Sequence, residues 1–248
     1  ESEVEVLGQQ LVYMNRVIYS LKLNDLKIHT KYYFHVLGDD GDESETYYFK
    51  TIANDGSTIR FIQGGDMDGD ENLTEFRDIA QRALDKDPDV IMLGGDLAYA
   101  NGDVKAIEKW NKWFKGMELV LVRSDNRMLP MILAMGNHET DPLKLKKLKR
   151  SPFFFQYFPQ GPKGSFYTRN LGKDTIMVVL DTGHMYRHDQ QREFLKNALN
   201  QDYKNKLAMY HIPLYPSHRS ENGVQSIIGR QMWQEYFDDY GLDIAFEN

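Results

Sequence analysis

The sequence of residues 90–99 is Val-Ile-Met-Leu-Gly-Gly-Asp-Leu-Ala-Tyr, and this stretch decides the fold class. Four apolar residues in an unbroken run are typical of a strand buried on both faces, as in parallel sheets. The run ends in two glycines followed by Asp96. In open α/β sheets, ligands bind at the carboxyl ends of the strands. The stretch therefore predicts a buried strand that places an acidic side chain at a ligand-binding edge.

The same arrangement, a short apolar strand followed by a polar side chain, occurs elsewhere in the chain. The predicted strands at residues 59–62, 131–134 and 206–210 are followed by Asp66, Asn137 and His211. Two more strands are predicted at residues 175–180 and 242–246. Apolar residues at helical spacing predict helices at residues 73–84, 107–117, 189–199 and 224–240. This alternation of strands and helices predicts an α/β domain with helices packed over sheets.

The front of the chain has a different pattern, with short runs of β-branched and aromatic residues. Residues 32–36 and 46–51 predict two strands, and the turn residues 38–42 between them predict a hairpin. A short polar linker at residues 53–57 separates this region from the α/β pattern. We therefore expect an all-β module at residues 1–53 and a second domain at residues 57–248.

Composition limits the function classes. The chain has 248 residues, a net charge of −7 and no cysteine. The absence of cysteine excludes disulfides, thiolate metal sites and a cysteine nucleophile, and the acidic balance argues against broad nucleic-acid binding. No apolar run approaches the length of a membrane span. The first residues do not have the pattern of a signal peptide.

The polar residues at the strand ends suit a metal site. Two carboxylates, one amide oxygen and one imidazole are donors that hard and borderline metal ions accept. Taken singly, a Gly-Gly-Asp turn, a lone histidine or a lone tyrosine is more often structural. Their recurrence after successive apolar strands favours the metal site, because bound cations relieve the repulsion among clustered carboxylates.

Several motifs together carry a resemblance to a known superfamily. The ordered blocks are Gly65-Asp66, Gly95-Asp96-Leu97-Ala98-Tyr99, Gly136-Asn137-His138-Glu139 and Ala208-Met209-Tyr210-His211. Two segments extend them, His211-Ile212-Pro213-Leu214-Tyr215 and Gln191-Arg192-Glu193-Phe194-Leu195. The set resembles the calcineurin-like metallophosphoesterases, and Gly-Asp-x-x-Tyr is typical of their purple acid phosphatase branch. The resemblance implies a sandwich of two mixed sheets flanked by helices.

The resemblance extends to the front of the chain. Residues 23–34 resemble part of a fibronectin type III module, in which a Leu-x-x-Leu corner precedes Thr-x-Tyr. In such a corner the hydroxyl of the tyrosine, here Tyr32, bonds back to the backbone. Residues 1–53 would then form a partial fibronectin type III-like module.

The resemblance also implies a set of metal ligands. Asp66 and Tyr99 would bind the first metal, and Asp96 would bridge both metals. Asn137 and His211 would bind the second. The implied cofactors are two metal ions, Fe(III) at the first position and Zn, Mn or Fe as a divalent ion at the second.

The implied reaction is hydrolysis of a phosphate ester by attack of metal-bound hydroxide on phosphorus. His138 would not be a ligand; it would contact the phosphoryl group or protonate the leaving oxygen. We predict a phosphomonoesterase of the acid phosphatase type that acts on a small phosphorylated substrate. We expect the protein to use no nucleic-acid scaffold and to have no membrane span. A phosphodiesterase and a non-catalytic adhesion or binding protein are the alternatives. The resemblance implies a secreted, periplasmic or cell-surface location.

Two departures from the family pattern stand out. Asp68 occupies a position where the branch usually has glycine, and we interpret it as a loop residue; the alternatives are an extra ligand and a hydrogen-bond partner of a ligand. A closing His-x-His pair is absent, and the sequence ends at Asn248, where that pair would begin. We therefore expect a fragment, cut at both ends, that is poorly active as given.

The basic run and three further histidines lie outside the motifs. The basic run at residues 143–150 is interpreted as a solvated loop or helix face, with attraction of anionic substrate as the alternative. His218 is a candidate substrate contact in a polar loop. His184 and His188 are assigned helix-start or surface positions.

Overall fold

A computed structural model describes residues 4–12, 14–67, 74–122, 124–160 and 163–248. In this part of the chain the strands are β1 (Gln9–Gln10), β2 (Val17–Ile18), β3 (Lys31–Phe34), β4 (Tyr47–Lys50), β5 (Phe61–Gly64), β6 (Val90–Leu93), β7 (Met131–Leu133), β8 (Tyr167–Leu171), β9 (Thr175–Val179), β10 (Asn205–Tyr210) and β11 (Ile244–Glu247). The α-helices are α1 (Thr74–Leu84), α2 (Ile107–Leu121), α3 (Lys147–Arg150), α4 (Phe154–Tyr157), α5 (Arg192–Leu199) and α6 (Val224–Asp239). Short 3₁₀ helices lie at Val104–Ala106, Asn137–Glu139 and His188–Gln191.

The first sheet of the α/β region has the strand order β5-β6-β7, and both pairings are parallel. Helices α1 and α2 connect its strands, as parallel neighbours require. Two mixed sheets were expected, and for the described strands of this sheet that expectation is wrong. Helical crossovers rather than tight turns join β5 to β6 and β6 to β7, so both pairs run in the same direction.

The second sheet has the order β11-β10-β9-β8 and is mixed, as predicted. Strand β10 pairs in parallel with β9 and with β11, whereas β8 and β9 form an antiparallel hairpin. Strand β8, whose sequence is Tyr-Thr-Arg-Asn-Leu, was not predicted. Its short, largely polar sequence has no apolar run of the kind that marks β9 and β10.

The two sheets pack face to face, which follows from the alternation of side chains along each strand. Met92 of β6 lies in one buried cluster with Met177 of β9 and Met209 of β10. Its neighbours Ile91 and Leu93 point the opposite way and belong to the cluster beneath α2. Alternate residues of a strand therefore face the other sheet and the helices, and the result is a four-layer α/β/β/α sandwich.

The two helical layers are anchored by large side chains that are fully buried. Trp110 and Trp113 of α2 pack edge to face, with ring centroids 5.6 Å apart. On the far side, Trp233 of α6 packs against Tyr210 of β10 at 5.6 Å. Aromatic contacts of this kind stabilise a core beyond the area they bury. These side chains belong to the buried clusters that join α2 to the first sheet and α6 to the second.

The front of the chain forms two small antiparallel pairs, β1-β2 and β3-β4. The predicted hairpin is confirmed by β3 and β4, and the hydroxyl of Tyr32 accepts a hydrogen bond from the backbone N–H of Lys27 at 2.7 Å. These contacts do not establish a fibronectin type III module. The hairpin also docks on the α/β region, because the N–H of Tyr48 donates to the carbonyl of Asn126 and its hydroxyl donates to Asp125.

Among the described helices, none combines the length and the apolar character needed to cross a membrane.

Candidate metal centre

The parallel strands bring their carboxyl ends to one edge of the sandwich. Asp66, Asp96 and Asn137 follow β5, β6 and β7 of the first sheet, and His211 follows β10 of the second. The N–H of Asp66 donates to the carbonyl of Gly95 at 3.1 Å, so the first two loops are bonded to each other. Four side chains that are far apart in the sequence thus converge where the two sheets meet.

The donor atoms of these residues are close together. Asp66, Asp96 and His211 each offer one ligand atom, and the three atoms lie within 4.8 Å of one another. The Nε2 atom of His211 is 3.1 Å from an Asp96 carboxylate oxygen and 3.2 Å from the Asn137 side-chain oxygen. Asp96 and His211 are buried, whereas Asp66 and Asn137 are exposed. The cluster therefore has a buried floor and an open side.

The remaining two residues of the predicted site border this cluster. The hydroxyl of Tyr99 donates to Asp66 at 3.2 Å, and Nε2 of His138 lies 3.8 Å from Asp96. The backbone N–H of His138 donates to the other Asp96 oxygen at 2.8 Å. The structure thus brings together all six residues predicted for the site, which are Asp66, Asp96, Tyr99, Asn137, His138 and His211. Their roles as ligands and catalyst stay predictions.

The hydrogen bonds of His211 show that this cluster fits a cation. Its Nδ1 atom is 3.1 Å from the carbonyl oxygen of Gly94, which can only accept, so Nδ1 carries a proton. In the neutral ring Nε2 is then an acceptor, and it faces the acceptor oxygens of Asp96 and Asn137. Acceptors that converge in this way need a proton or a metal ion between them. The donor types present are those that bind transition metals through nitrogen and oxygen.

Electrostatics at the floor of the site favour charged groups. Burial acts to raise the pKa of Asp96, but the hydrogen bond and charge of His211 outweigh it, and the pKa lies below its usual value. Burial acts to lower the pKa of His211, yet its hydrogen bond to Asp96 and the nearby carboxylates raise it. Asp96 is therefore an ionised carboxylate at neutral pH in a buried position, which is the state that a metal ligand requires.

Backbone strain is concentrated at this edge. Asp66, Asp96, Tyr99 and Asn101 have φ angles between 50° and 53°, a region that residues other than glycine seldom adopt. Aspartate and asparagine tolerate it better than most residues, but a tyrosine there is a clear outlier. Strained residues persist where surrounding structure holds them, and they cluster at functional sites. The strain supports a functional role for this edge.

Two glycines allow the loops after β6 and β7 to touch. Gly95 has φ +105°, and a Cβ atom added to it would lie 2.6 Å from the backbone nitrogen of Gly136. A Cβ atom on Gly136 would lie 2.2 Å from a carboxylate oxygen of Asp96. Glycine is therefore required at both positions, because the backbones of the two loops touch there. This contact brings Asn137 next to Asp96.

Sequence reasoning gave no role to Glu139, although it belongs to the Gly-Asn-His-Glu motif. Its buried carboxylate accepts the backbone N–H groups of Asp96, Leu97 and Gly136, each at 2.8 Å. Burial and the charge of Asp96 raise the pKa of Glu139 to about 7. One side chain thus ties together the two loops that carry Asp96 and Asn137. The motif contained this residue, but only the fold shows which N–H groups it meets.

A second residue that sequence reasoning missed is Asn101. Its side-chain oxygen is hydrogen bonded to Nδ1 of His138, and its backbone N–H donates to the His138 carbonyl at 2.8 Å. Because the amide oxygen is an acceptor, Nδ1 carries a proton, and Nε2 faces the Asp96 side of the site. The ring of Tyr99 stacks on the His138 imidazole with centroids 4.2 Å apart. The orientation of His138 is therefore fixed on two sides.

The loop after β9 supports the site from behind. The Asp181 carboxylate accepts N–H bonds from His184, Met185 and Tyr186, and Gln191 binds both the N–H and the carbonyl of Asp181. Burial raises the pKa of Asp181. Gln191 is the first residue of the Gln-x-x-aromatic-Leu segment. Its two bonds to the Asp181 backbone explain why a glutamine stands at this position.

The surface positions expected for His184 and His188 are wrong. Their exposed fractions are only 6% and 2%. His188 does begin a 3₁₀ helix, as the helix-start interpretation predicted. His184 bonds to the hydroxyl of Thr182 and lies near His211, and burial lowers its pKa to about 3. The His188 ring is buried against Trp233 of α6, whereas the His184 ring is buried beside His211.

The roles of Asp68 and His218 stay predictions. Asp68 lies outside the described residues. His218 is exposed, and within the described residues no hydrogen bond joins it to the cluster.

Comparisons with known proteins agree with this geometry. One curated relative is purple acid phosphatase 15 of Arabidopsis thaliana, 24% identical over 269 residues, which cover 95% of this chain and 49% of the relative. The solved purple acid phosphatase PPD1 from yellow lupin (Lupinus luteus) seeds superposes with a TM-score of 0.71 at 20% identity, covering 91% of this chain and 44% of that one. The chain therefore spans about half the length of these proteins.

More distant structures have the same fold. The structure of PhoD superposes with a TM-score of 0.63 at 13% identity over 94% of this chain and 58% of that one. GAP50, the anchor in the inner membrane complex of Plasmodium, gives a TM-score of 0.54 at 13% identity over 75% of this chain and 64% of that one. A family model for calcineurin-like phosphoesterases matches residues 59–246, which extend from before β5 into β11. The chain belongs to the calcineurin-like phosphoesterase family.

Proposed function

We propose that the protein is a metal-dependent hydrolase of phosphate esters, and that phosphomonoesters are its main substrates, as in acid phosphatases. The observation that carries the proposal is the convergence of Asp66, Asp96 and His211 on one point at the edge of the sandwich. Membership of the calcineurin-like phosphoesterase family supports the reaction class. The likeness to purple acid phosphatases supports the monoester preference.

The proposed ligands form two overlapping sets. Asp66 and Tyr99 would hold one metal ion, Asn137 and His211 would hold the other, and the Asp96 carboxylate would be shared by both sets. A phenolate and carboxylates suit Fe(III), and an amide oxygen with an imidazole suits a divalent ion such as Zn, Mn or Fe. When bound, such ions supply Lewis-acid activation of the phosphoryl group and of water.

His138 acts on the substrate rather than on the metals in this proposal. Asn101 accepts the Nδ1 proton, so Nε2 is the atom presented toward the Asp96 side of the site. When the ring is protonated, Nε2 can donate to a phosphoryl oxygen or to the leaving oxygen. The half-exposed position of His138 leaves room for a substrate beside it.

The proposal includes the organisation of the whole chain. We assign residues 1–53 to a separate β-rich module and residues 57–248 to the catalytic domain, with a location outside the cytoplasm. The two antiparallel strand pairs before residue 53 support the boundary. The likeness to purple acid phosphatases supports the location.

The decisive experiment removes the shared carboxylate. Asp96→Asn should reduce hydrolysis of an aryl phosphate by about 10³-fold or more, because several kcal/mol of charge stabilisation depend on the bound ions. Metal content is measured by atomic emission on the same samples, and it should fall. A bis-aryl phosphate assayed in parallel tests the monoester preference.

The matched control is Asp189→Asn, which neutralises an exposed aspartate that pairs with Arg187 on the surface. This variant should keep its activity and its metal. Near-normal turnover by Asp96→Asn would make the two-metal assignment wrong. Faster hydrolysis of the bis-aryl phosphate would instead overturn the monoester preference alone.

A further inference from the structure

A loop at the rim of the candidate metal centre combines exposed leucines with a local excess of positive charge. Residues 141–150 directly follow Thr140, the residue after Glu139, and contain four lysines, one arginine and one aspartate. The side chains of Leu143 and Leu145 are 87% and 93% exposed. A leucine that is almost completely exposed contributes little to the hydrophobic core. The presence of two such leucines in one loop therefore needs another explanation.

The loop has a defined shape, so the exposure of its leucines is not a consequence of missing structure. The N–H of Asp141 donates to the carbonyl of Arg150 at 2.7 Å and closes the base. The Asp141 side chain accepts the N–H of Leu143 at 2.9 Å. Gly102 packs against this base, because a Cβ atom there would lie 2.4 Å from the Asp141 nitrogen. The tip that carries Leu143 and Leu145 therefore projects from an anchored base.

The charge of the loop is opposite to that of the whole chain, which is −7. Lys144, Lys146 and Lys149 are exposed, and among the described residues no carboxylate lies within ion-pair distance of them. Lys147 lies over the ring of Phe155 at 3.9 Å. Uncompensated lysines on an acidic protein create a local positive potential that attracts anionic surfaces.

We propose that the loop of residues 141–150 docks on an anionic lipid surface, with Leu143 and Leu145 entering the headgroup region and the lysines contacting lipid phosphates. Apolar side chains flanked by lysines are the composition that binds such interfaces. A nucleic acid or another polyanion would use the lysines but would leave the leucines in water. The near-complete exposure of both leucines therefore favours lipid over a polyanion.

The base of the loop lies next to the residues that border the candidate metal centre. Gly102, which supports the loop base, directly follows Asn101, and Asn101 holds the His138 ring. A protein docked through this loop would hold the rim of the candidate metal centre close to the lipid. The docking does not depend on the proposed hydrolysis, and each can fail without the other.

The test is co-sedimentation of the full chain with lipid vesicles at low and high salt. Vesicles of phosphatidylcholine and phosphatidylserine, mixed at roughly 7:3, should bind the protein more tightly than phosphatidylcholine alone. Added salt should weaken the binding to the mixed vesicles, because it screens exposed charges. No binding to the mixed vesicles would overturn the proposal.

Two loop variants separate the contributions. Replacing Lys144, Lys146 and Lys149 by Gln should lower the partition coefficient about a hundredfold, at about fivefold for each lysine near the surface. Leu143→Ser with Leu145→Ser should lower it by about tenfold for each leucine that enters the interface. Circular dichroism and the melting temperature should not change, because these side chains are exposed.

Matched controls alter the same residue types elsewhere. A triple variant with Gln at Lys173, Lys196 and Lys204 should bind the mixed vesicles about as well as the wild type, as should Leu21→Ser with Leu23→Ser. Equal losses in the controls and in the loop variants would overturn the proposal. So would a leucine variant that binds normally while the lysine variant fails, particularly if the protein also binds an oligonucleotide, because that result would identify a polyanion site.

Discussion

The orientation of His138 depends on two neighbours that come from the loop after β6. Asn101 fixes the Nδ1 proton, and Tyr99 covers one face of the imidazole at 4.2 Å. Both neighbours have left-handed backbone angles, with φ of 53°. These backbone angles place Tyr99 and Asn101 on one turn. The phenol of the first and the amide of the second can therefore both contact the His138 ring. The result is an imidazole whose Nε2 atom faces the carboxylate of Asp96 while 34% of the side chain stays exposed.

We expect His138→Ala to lower kcat for an aryl phosphate by about 10²–10⁴-fold, the usual contribution of a positioned proton donor. Metal content, measured by atomic emission, should not change, because His138 is assigned to the substrate. His35→Ala, at an exposed histidine of the front region, serves as the control and should keep its activity. Loss of metal from His138→Ala would show that this histidine is itself a ligand.

The loops after β6 and β7 act as one element, although they are forty residues apart in the sequence. Gly95 and Gly136 let their backbones touch, and the buried carboxylate of Glu139 accepts N–H groups from both loops. Asp96 lies three residues after the end of β6 and Asn137 four residues after the end of β7, so the sheet register sets the distance between the two. The geometry of the site is therefore a property of the paired loops rather than of either loop alone.

Gly95→Ala should lower the free energy of unfolding by about 2 kcal/mol or more, because alanine is strained at φ +105° and its Cβ would press on the Gly136 nitrogen. Urea denaturation followed by fluorescence measures the loss. The control is Gly64→Ala at the end of β5, where an added Cβ meets no atom within 4 Å. A Gly95→Ala variant as stable as Gly64→Ala would show that the two backbones do not need to touch.

Two buried histidines make the stability of the whole molecule sensitive to acid. His188 packs between α6 and the loop after β9, with its ring 4.4 Å from that of Trp233. Burial lowers the pKa of His188 to about 4, from an ordinary value of 6.5. Between these two pH values, His188 therefore binds a proton in the unfolded chain but not in the folded protein. It follows that the folded state loses stability as the pH falls through this window.

Replacing His188 by Phe should remove this part of the acid sensitivity. The free energy of unfolding, measured by urea titration at neutral pH and at about pH 4, should fall roughly 3 kcal/mol less in the variant than in the wild type. Comparison of the two proteins cancels the contributions of other titrating groups. His218→Phe, at an exposed position, is the control and should keep the slope of the wild type. Equal slopes for His188→Phe and the wild type would show that His188 is protonated in the folded protein.

Much of the fold could be predicted because hydrophobic runs report burial directly. The strand predicted at Val90–Leu93 has the same bounds as β6. The helices predicted at residues 107–117 and 224–240 correspond to α2 and α6. Strand β8 was missed because only one of its faces is covered and its sequence is largely polar. The unbroken apolar run of β6 is typical of the parallel pairing that the first sheet has, whereas the resemblance implied two mixed sheets.

The sequence by itself determined which residues stand at strand ends, since an apolar run followed by glycine and a polar residue is a local feature. On that basis it indicated Asp66, Asp96, Asn137 and His211 as one set. Only the tertiary structure decided that β10 of the second sheet lies beside the first, so that His211 reaches Asp96 at 3.1 Å. It alone gave Glu139 its partners and put His188 in the core. The physical reason is that burial and hydrogen-bond partners depend on packing between elements distant in sequence, which a local pattern does not contain.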